Sequence, residues 1–239
     1  MAEKCPKRKQ LLEMAASFRP ACVLGAAAEL DLFSLLGDRS VSAAATAWLL
    51  RSDLRATRML LDALAALGLL SKKRGRYSVP AELRNLLSAS AAESVLPMVR
   101  HSMVLMRAWA QLAWVVKAGL PWPRQASIRG FEADRAAFIA AMHSVSGPIA
   151  EELVARLGPL RFEHLLDVGG ASGTWTLAFL RAVPGAKATI FDLPDAIHQA
   201  QARLAATELR SRVRLVSGDF YQDELPGGAD FAWVSAIIH

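Results

Sequence analysis

Apolar residues recur at helical spacing through most of the first 157 positions of the chain. The spacing predicts a helical stretch from Lys9 to about Leu36, with Pro20 as a break and Gly37 as its end. Two more long helices are predicted over residues 93–118 and 131–157. The first two thirds of the chain are therefore predicted to be mainly α-helical.

Between these helices the pattern changes to helix, turn, helix and hairpin. A short helix is predicted over 42–50 and a longer one over 53–67, with Ser52 as its N-cap. Residues 69–79 are typical of a hairpin that turns near Arg74-Gly75. This order is the outline of a winged helix, and it indicates an N-terminal domain over residues 1–90.

After Leu157-Gly158-Pro159 short apolar runs alternate with amphipathic segments. Strands are predicted over 164–168, 187–191, 213–217 and 231–238, and helices over 174–183 and 194–207. Strands that alternate with helices of this length predict an α/β fold with a doubly wound parallel sheet. We assign 91–158 to linking helices and 159–239 to the sheet domain.

Composition narrows the class of protein. The 239 residues are 53% hydrophobic and 21% charged, which excludes a disordered or low-complexity chain. The mean hydropathy is +0.25, but charged residues interrupt the apolar stretches, so no membrane span and no membrane partner are predicted. Two cysteines, Cys5 and Cys22, make neither a disulfide framework nor a metal site. These features predict a reduced, cytoplasmic protein without a metal.

The net charge of +6 lies entirely in the first two thirds of the chain. Residues 1–100 contribute +6, residues 101–160 contribute +2 and residues 161–239 contribute −2. A basic winged helix could bind DNA through Arg55 and Arg58 and through the wing. A DNA-binding regulator is therefore one alternative, and a solvated basic surface is the other.

The segment from Asp167 to Gly173 carries a glycine-rich turn between the first strand of the sheet and the next helix. Ligands of such sheets lie beyond the carboxyl ends of the strands, and Gly169 and Gly170 would let backbone approach one closely. The dinucleotide pattern G-x-G-x-x-G fails, because Ala171 and Thr174 stand where glycines are needed. This failure argues against a second alternative, an NAD-dependent oxidoreductase.

Acidic residues follow the next two strands at the same edge. Asp192 comes 23 positions after Gly169, the position of an acid that accepts the two hydroxyls of a ribose. It could equally cap the helix that starts at Pro194. Asp219 could accept from an adenine amino group while Phe220 packs on the ring, although a lone Gly-Asp-Phe is also ordinary turn chemistry.

These three segments resemble the S-adenosylmethionine-dependent O-methyltransferases of the plant-caffeate and hydroxyindole type. The resemblance covers nearly the whole chain and implies a winged-helix dimerisation domain followed by a Rossmann-like methyltransferase sheet. It implies S-adenosylmethionine as cofactor, a small aromatic hydroxyl as substrate, a homodimer, and no nucleic-acid partner. The dimer would bury the apolar faces of 9–36 and 93–118.

The resemblance also assigns site residues on a long helix and on the fourth strand. Phe138 and Met142 would face the acceptor and Ser146 the cofactor, although core packing explains Phe138 and Met142 without the family. His239 matches the general base that removes the acceptor's proton, a role that suits histidine at neutral pH. The other histidines are interpreted as surface or packing residues: His101, His143, His164 and His198.

The sequence departs from the family in three places. Ala171 replaces a glycine of the first turn, and Ser235 stands where many relatives have a lysine against the cofactor. The family also continues well beyond the position of His239. The resemblance therefore implies that these residues hold only the first half of the sheet.

Overall fold

The structure is a computed structural model that describes residues 5–91, 93–170 and 172–237. The chain divides into two compact units, residues 1–131 and residues 132–239. The helices of the described residues are α1 (Arg8–Ala16), α2 (Phe18–Glu29), α3 (Leu32–Leu36), α4 (Ala43–Leu50), α5 (Leu54–Ala66), α6 (Leu96–Trp109), α7 (Leu112–Ala118), α8 (Phe131–Arg156), α9 (Thr174–Ala182) and α10 (Pro194–Leu204). The strands are β1 (Val41–Ser42), β2 (Ser71–Lys73), β3 (Arg76–Ser78), β4 (His164–Val168), β5 (Lys187–Asp192), β6 (Val213–Ser217) and β7 (Phe231–Val234).

The predicted N-terminal helical stretch is three helices. The break between α1 and α2 falls at Ser17 and not at Pro20, which lies in the first turn of α2. Proline costs little there, because the first amides of a helix have no intrahelical partner. Gly37 ends α3 with a positive φ of 52°, as predicted.

The winged helix of the first unit is confirmed, with one correction at a helix start. Ser42 caps α4 by accepting from the amide of Ala45 at 3.2 Å. Asp53 rather than Ser52 caps α5, since its carboxylate accepts from the amide of Ala56 at 2.8 Å. The Ser52 hydroxyl instead lies 2.7 Å from that of Thr57.

The wing is a three-stranded antiparallel sheet in the order β1-β3-β2. Arg74 and Gly75 both have positive φ, the conformation that a two-residue hairpin turn requires. Tyr77 of β3 is buried, and its hydroxyl donates to Asp62 of α5 at 2.7 Å. Lys72 binds the same carboxylate at 2.5 Å. These contacts hold the wing against α5, and they pair one basic side chain of the wing, Lys72, with a carboxylate of the same protein.

The helix predicted over 93–118 is two helices, α6 and α7, which are separated at Ala110 and Gln111.

The stretch Arg8–Glu29 is more apolar than the prediction of no membrane span implied. Its mean hydropathy of 1.3 reaches the range of a membrane-spanning helix, with 17% of the window buried. Core helices of soluble proteins and signal sequences meet the same criterion, so this finding alone does not establish a span.

The second unit is built on a parallel sheet in the order β6-β5-β4-β7. The first of these strands along the chain is β4, and the chain adds β5 and β6 on one side before β7 pairs on the other. The strand order therefore reverses between β4 and β7, which makes that crevice the topological switch point of the sheet. The fourth predicted strand is shorter than expected, since β7 ends at Val234.

The core of the second unit lies between this sheet and its helices. Leu165 and Ile190 are fully buried in neighbouring strands. Phe179 of α9 packs edge-on against Phe231 and Trp233 of β7, with ring centroids 5.4 and 5.0 Å apart. Burial of these large side chains sets the register of α9 on the sheet, and it thereby fixes the turn that precedes α9.

Candidate functional site

The carboxyl ends of the four parallel strands bring several of the predicted site residues to one edge. In register, Val168 of β4 lies beside Phe191 of β5 and Val234 of β7, and Phe191 lies beside Val216 of β6. The residues that follow these positions at the same edge are Gly169, Gly170, Asp192, Asp219, Phe220 and Ser235. The edge includes the switch point between β4 and β7, where ligands of open α/β sheets bind.

Gly169 begins the glycine-rich turn, of which the structure describes residues 169, 170, 172 and 173. Its amide donates to the carbonyl of Phe191 at 2.8 Å, and its φ is +72°. A Cβ at this position would overlap the side chain of Ile237. Backbone conformation and space inside the protein therefore both require glycine here, in addition to the ligand approach that the sequence suggested.

Gly170 is required for a different reason. A Cβ on Gly170 would lie within 2.6 Å of both carboxylate oxygens of Asp167. Asp167 is the fourth residue of β4 and is 1% exposed. The turn thus folds directly over a buried carboxyl group.

Asp167 was part of the motif but was not predicted as a site residue. The hydroxyl of Thr176 donates to its carboxylate at 2.6 Å, and the Thr176 amide also bonds to it. Burial raises the pKa of the Asp167 carboxyl from 3.8 to about 6, the Thr176 bonds oppose this, and the charge of Asp192 adds a smaller increase. The carboxyl links the end of β4 to the first turn of α9.

The raised pKa of Asp167 makes the stability of the protein depend on pH in a predictable direction. Because the folded pKa lies above the unfolded one, the stabilisation is complete below about pH 4 and is lost as the pH rises through about 6. Asp167→Asn cannot titrate. Between pH 4 and pH 7 the free energy of unfolding of the wild type should fall by about 2–3 kcal/mol relative to that of the variant.

Urea denaturation of both proteins at several pH values measures this difference. Asp195→Asn, a change at an exposed carboxylate in the first turn of α10, is the control. Wild-type and Asp167→Asn curves that stay parallel across this pH range would contradict the buried, titrating carboxyl.

Asp192 ends β5 at the position predicted for a diol-binding acid. Its side chain is half-buried, and one carboxylate oxygen accepts from the amide of Leu193 at 2.7 Å. The carboxylate therefore accepts a hydrogen bond near the start of α10, which agrees in part with its interpretation as a helix cap. A carboxylate has several acceptor positions, so this bond is compatible with additional bonds from ligand hydroxyls.

Asp219 and Phe220 follow β6 in a tight turn. The Asp219 carboxylate accepts from the Tyr221 amide at 3.0 Å and from the Gln222 side chain at 3.0 Å. Gly218 is needed beneath them, because a Cβ there would overlap the ring of Phe191. Phe220 is 38% exposed, and its ring centroid lies 4.5 Å from that of Tyr221, with the two rings tilted by 39°. An aromatic face therefore stands at this edge.

The last predicted residues lie at and beyond the end of β7. Ser235 is half-buried just after Val234. His239, the predicted general base, lies outside the described residues, as does Ala171 of the glycine-rich turn. Their assignments stay predictions.

Helix α8 carries the three residues that the resemblance assigned to acceptor and cofactor. Phe138, Met142 and Ser146 are spaced by four and share one side of the helix. Phe138 is 44% exposed, whereas Met142 and Ser146 are half-buried. The buried side of α8 is lined instead by alanines and valine: Ala137, Ala141, Ala150 and Val154. Phe138 is therefore not a core residue of the unit.

The structure also assembles a polar cluster that the sequence did not indicate. His143 of α8, Thr174 of α9 and Arg203 of α10 meet at the start of α9. They are 31 and 29 residues apart in sequence, so no local spacing marks them. His143 was interpreted as a surface or packing residue.

Metal chemistry has no support among residues 5–91, 93–170 and 172–237. No group of three or more His, Cys, Asp or Glu side chains there could hold a metal ion. The donor set at the sheet edge fits a nucleoside instead, with a half-buried carboxylate for a diol and an aromatic face beside it. The switch point supplies the crevice.

Fold and edge together define a Rossmann-like, nucleoside-binding class of protein with a winged-helix domain. Family models match both parts of the chain. Residues 12–96 match the O-methyltransferase dimerisation domain, and residues 109–239 match the O-methyltransferase domain. The chain belongs to this O-methyltransferase family, as its resemblance implied.

Characterised relatives agree with this assignment. The chain is 32% identical to the tetracenomycin polyketide synthesis 8-O-methyl transferase TcmO of Streptomyces glaucescens, and the match covers 96% of this chain and 69% of that protein. It is 30% identical to the acetylserotonin O-methyltransferase of Mus musculus molossinus, over 97% of this chain and 65% of the mouse protein. The chain thus spans about two thirds of the length of these relatives.

Solved structures share the fold. The structure of PigF with SAH has a TM-score of 0.79 and 27% identity, and the match covers 95% of this chain and 71% of PigF. Human N-acetylserotonin methyltransferase in complex with SAM has a TM-score of 0.70 and 25% identity, with 97% and 71% covered. The predicted fold class, a winged-helix domain followed by a parallel Rossmann-like sheet, is confirmed.

Proposed function

We propose that this chain is the cofactor-binding part, or the whole, of an S-adenosylmethionine-dependent methyltransferase that acts on a hydroxyl of a small aromatic molecule. The observation that carries the proposal is the half-buried carboxylate of Asp192 beside the glycine-rich turn at the switch point of the sheet. Family membership supports the same reaction.

Different residues at the sheet edge bind different parts of the cofactor. The carboxylate of Asp192 accepts the ribose hydroxyls, and Asp219 and Phe220 bind the adenine by hydrogen bonding and stacking. Gly169 and Gly170 form the floor beneath the amino-acid portion. Ser235 from the end of β7 and Ser146 from α8 complete the polar wall, as in the predicted assignment.

S-adenosylmethionine, when bound, supplies a methyl group on a positively charged sulfonium. The protein's part is to place the acceptor hydroxyl in line and to remove its proton. Orientation supplies much of the rate, because the methyl donor is already activated. His239 takes the proton, and general-base help of this kind is worth about 10²–10⁴-fold.

The acceptor is proposed to be aromatic because of the side chains on α8. Phe138 presents an exposed ring and Met142, one turn later, a polarizable side chain. Both side chains suit a flat ring. The related proteins named above include one acting on acetylserotonin, which is consistent with a small acceptor.

Methyl transfer from S-adenosylmethionine labelled in its methyl group to a panel of simple phenols tests the reaction. His239→Ala should lower turnover by about 10²–10⁴-fold and leave the affinity for S-adenosylhomocysteine unchanged. His198→Ala, at an exposed histidine of α10, is the matched control. Equal turnover in His239→Ala and wild type would show that the assigned base is wrong.

We further propose a homodimer formed through the first unit. Residues 12–96 match a dimerisation domain, and α1 and α2 expose Leu12, Met14 and Phe18, each more than half accessible. Trp109 and Val116 are exposed on the predicted second surface. Apolar surface of this kind is costly in water unless a partner covers it. Sedimentation equilibrium should give a dimer at micromolar concentration, and a stable monomer would contradict the proposal.

The two alternative functions have less support. The winged helix falls within the region that matches a dimerisation domain, and Lys72 of its wing is bound to Asp62. A salt-resistant, sequence-selective complex in a gel shift would favour the DNA-binding regulator instead. The oxidoreductase lacks the dinucleotide glycine pattern, and saturable binding of NADH alone would favour it.

A further inference from the structure

His143, Thr174 and Arg203, which we call the α9 cluster, form a connected set of hydrogen bonds at the first residue of α9. Nδ1 of His143 lies 2.8 Å from the Thr174 hydroxyl, and a guanidinium nitrogen of Arg203 lies 3.0 Å from Nε2 of His143. A second guanidinium nitrogen of Arg203 lies farther away, 3.3 Å from the Thr174 hydroxyl oxygen. The cluster therefore links α8, α9 and α10 through the ring of His143.

The chemistry of these groups fixes the tautomer of His143. A guanidinium can only donate, so Nε2 of His143 must be the acceptor and carry no proton. Nδ1 then carries the proton and donates it to the Thr174 hydroxyl. A doubly protonated ring would point an N–H at the guanidinium, and the contact would be lost.

The surroundings of the ring favour the same neutral state. Burial, together with the charge of Arg203, lowers the pKa of His143, and burial lowers the pKa of Arg203. Gly147, one turn along α8, makes room for the ring, because a Cβ there would lie 3.2 Å from its Cε1. The local sequence of α8 is therefore compatible with this side chain in this place.

The cluster connects the glycine-rich turn with the helix that carries the proposed acceptor residues. Ser172 of the glycine-rich turn donates to the same Thr174 hydroxyl at 3.0 Å. The N-cap of α9, Gly173, has no side chain that could hold the first turn of the helix. On the other side, His143 directly follows Met142 on the helix assigned to the acceptor.

We infer that His143 and Arg203 are positioning residues that lock the glycine-rich turn to α8 through Thr174, so that the cofactor side and the acceptor side of the site keep a fixed relation. The inference rests on the proposed function. Neither side chain is assigned a contact with the reacting atoms. Their effect passes through the hydroxyl of Thr174, whose position sets the start of α9 and the turn before it.

A pair of substitutions at Thr174 isolates this hydroxyl. Thr174→Val removes one oxygen at constant shape, and the dissociation constant of S-adenosylhomocysteine, measured by titration calorimetry, should rise about tenfold. Thr174→Ser restores the hydroxyl and should restore the affinity. Arg203→Met should behave like Thr174→Val. Arg181→Met, which removes a link from α9 to Glu151 of α8 away from the turn, is the matched control and should bind normally.

The tautomer tests the hydrogen-bond geometry on which the inference rests, and the rescue by Thr174→Ser separates positioning by the hydroxyl from a general loss of stability. Nitrogen-15 spectra of the histidine side chains, assigned with His143→Gln, should show a neutral ring with the proton on Nδ1 in wild type and Thr174→Ser. This measurement carries the test if Arg203→Met does not fold. A proton on Nε2, or a mixture of tautomers, would overturn the inference.

The outcomes separate the inference from the proposed function. If the wild type binds S-adenosylhomocysteine and Thr174→Val binds it equally well, the positioning role is overturned and the proposed function stands. If the wild type does not bind S-adenosylhomocysteine at all, the proposed function and the inference that rests on it are both overturned.

Discussion

Gly170→Ala should lower the affinity for S-adenosylhomocysteine by about ten- to a hundredfold and also reduce the stability of the fold. The new methyl group would lie within 2.6 Å of both carboxylate oxygens of Asp167, which are buried and bound to Thr176. Overpacking of this kind costs about 1–3 kcal/mol, and we expect it to displace the turn from its position over Asp167. Calorimetric titration and thermal unfolding measure the two effects.

Gly227→Ala is the matched control for this prediction. Gly227 is exposed in the segment between β6 and β7, and a Cβ there would meet nothing within 4 Å. Its affinity and unfolding temperature should equal those of the wild type. Normal binding by Gly170→Ala would show that the turn over Asp167 does not form part of the cofactor site.

Asp192→Ala should also remove most of the affinity for S-adenosylhomocysteine. A carboxylate that accepts ribose hydroxyls contributes about 1.5–3 kcal/mol for each bond to the charged group. Loss of one such bond raises the dissociation constant by about 10- to 150-fold, and loss of two raises it by more. The variant should fold, because the hydrogen bond that Asp192 accepts from the exposed Leu193 amide contributes little to stability.

Asp195→Ala separates this specific role from a general loss of charge. Asp195 lies three residues later, in the first turn of α10, and pairs at the surface with Arg135 of α8. Removing it changes the net charge equally and should leave the dissociation constant within about twofold, since exposed pairs contribute little. Equal losses in the two variants would argue against a diol at Asp192.

The sheet of the second unit could be predicted from the sequence because its strands are short apolar runs with clear ends. β4 and β6 begin and end at the predicted residues, and the glycine-rich turn and Asp192 follow the strands as expected. Parallel pairing then places the strand ends together without further information. The residues at this edge of the sheet could be predicted for the same reason.

Other features depend on contacts that the local sequence does not specify. Ser52 and Asp53 are both good N-caps, and only the conformation of the chain selects Asp53. Apolar spacing continues through Ala110 and Gln111, so it could not reveal that α6 and α7 are separate helices. Boundaries of this kind follow from tertiary packing.

The polar groups inside the second unit were the hardest to predict. The burial of Asp167 depends on the turn that covers it, and its hydrogen-bond partner Thr176 lies on the following helix, α9. His143 contacts Thr174 and Arg203 only because α8, α9 and α10 come together in the fold. Each residue looks ordinary in the sequence, and the fold alone gives it a role.

Titration calorimetry of the wild-type chain with S-adenosylhomocysteine, and separately with NADH, determines whether the edge formed by Gly169, Gly170, Asp192, Asp219 and Phe220 binds the cofactor of a methyltransferase. We expect saturable binding of S-adenosylhomocysteine at one site per chain and no saturable binding of NADH. Saturable binding of NADH alone, or no binding of S-adenosylhomocysteine, would show that this edge is not the site of a methyltransferase cofactor.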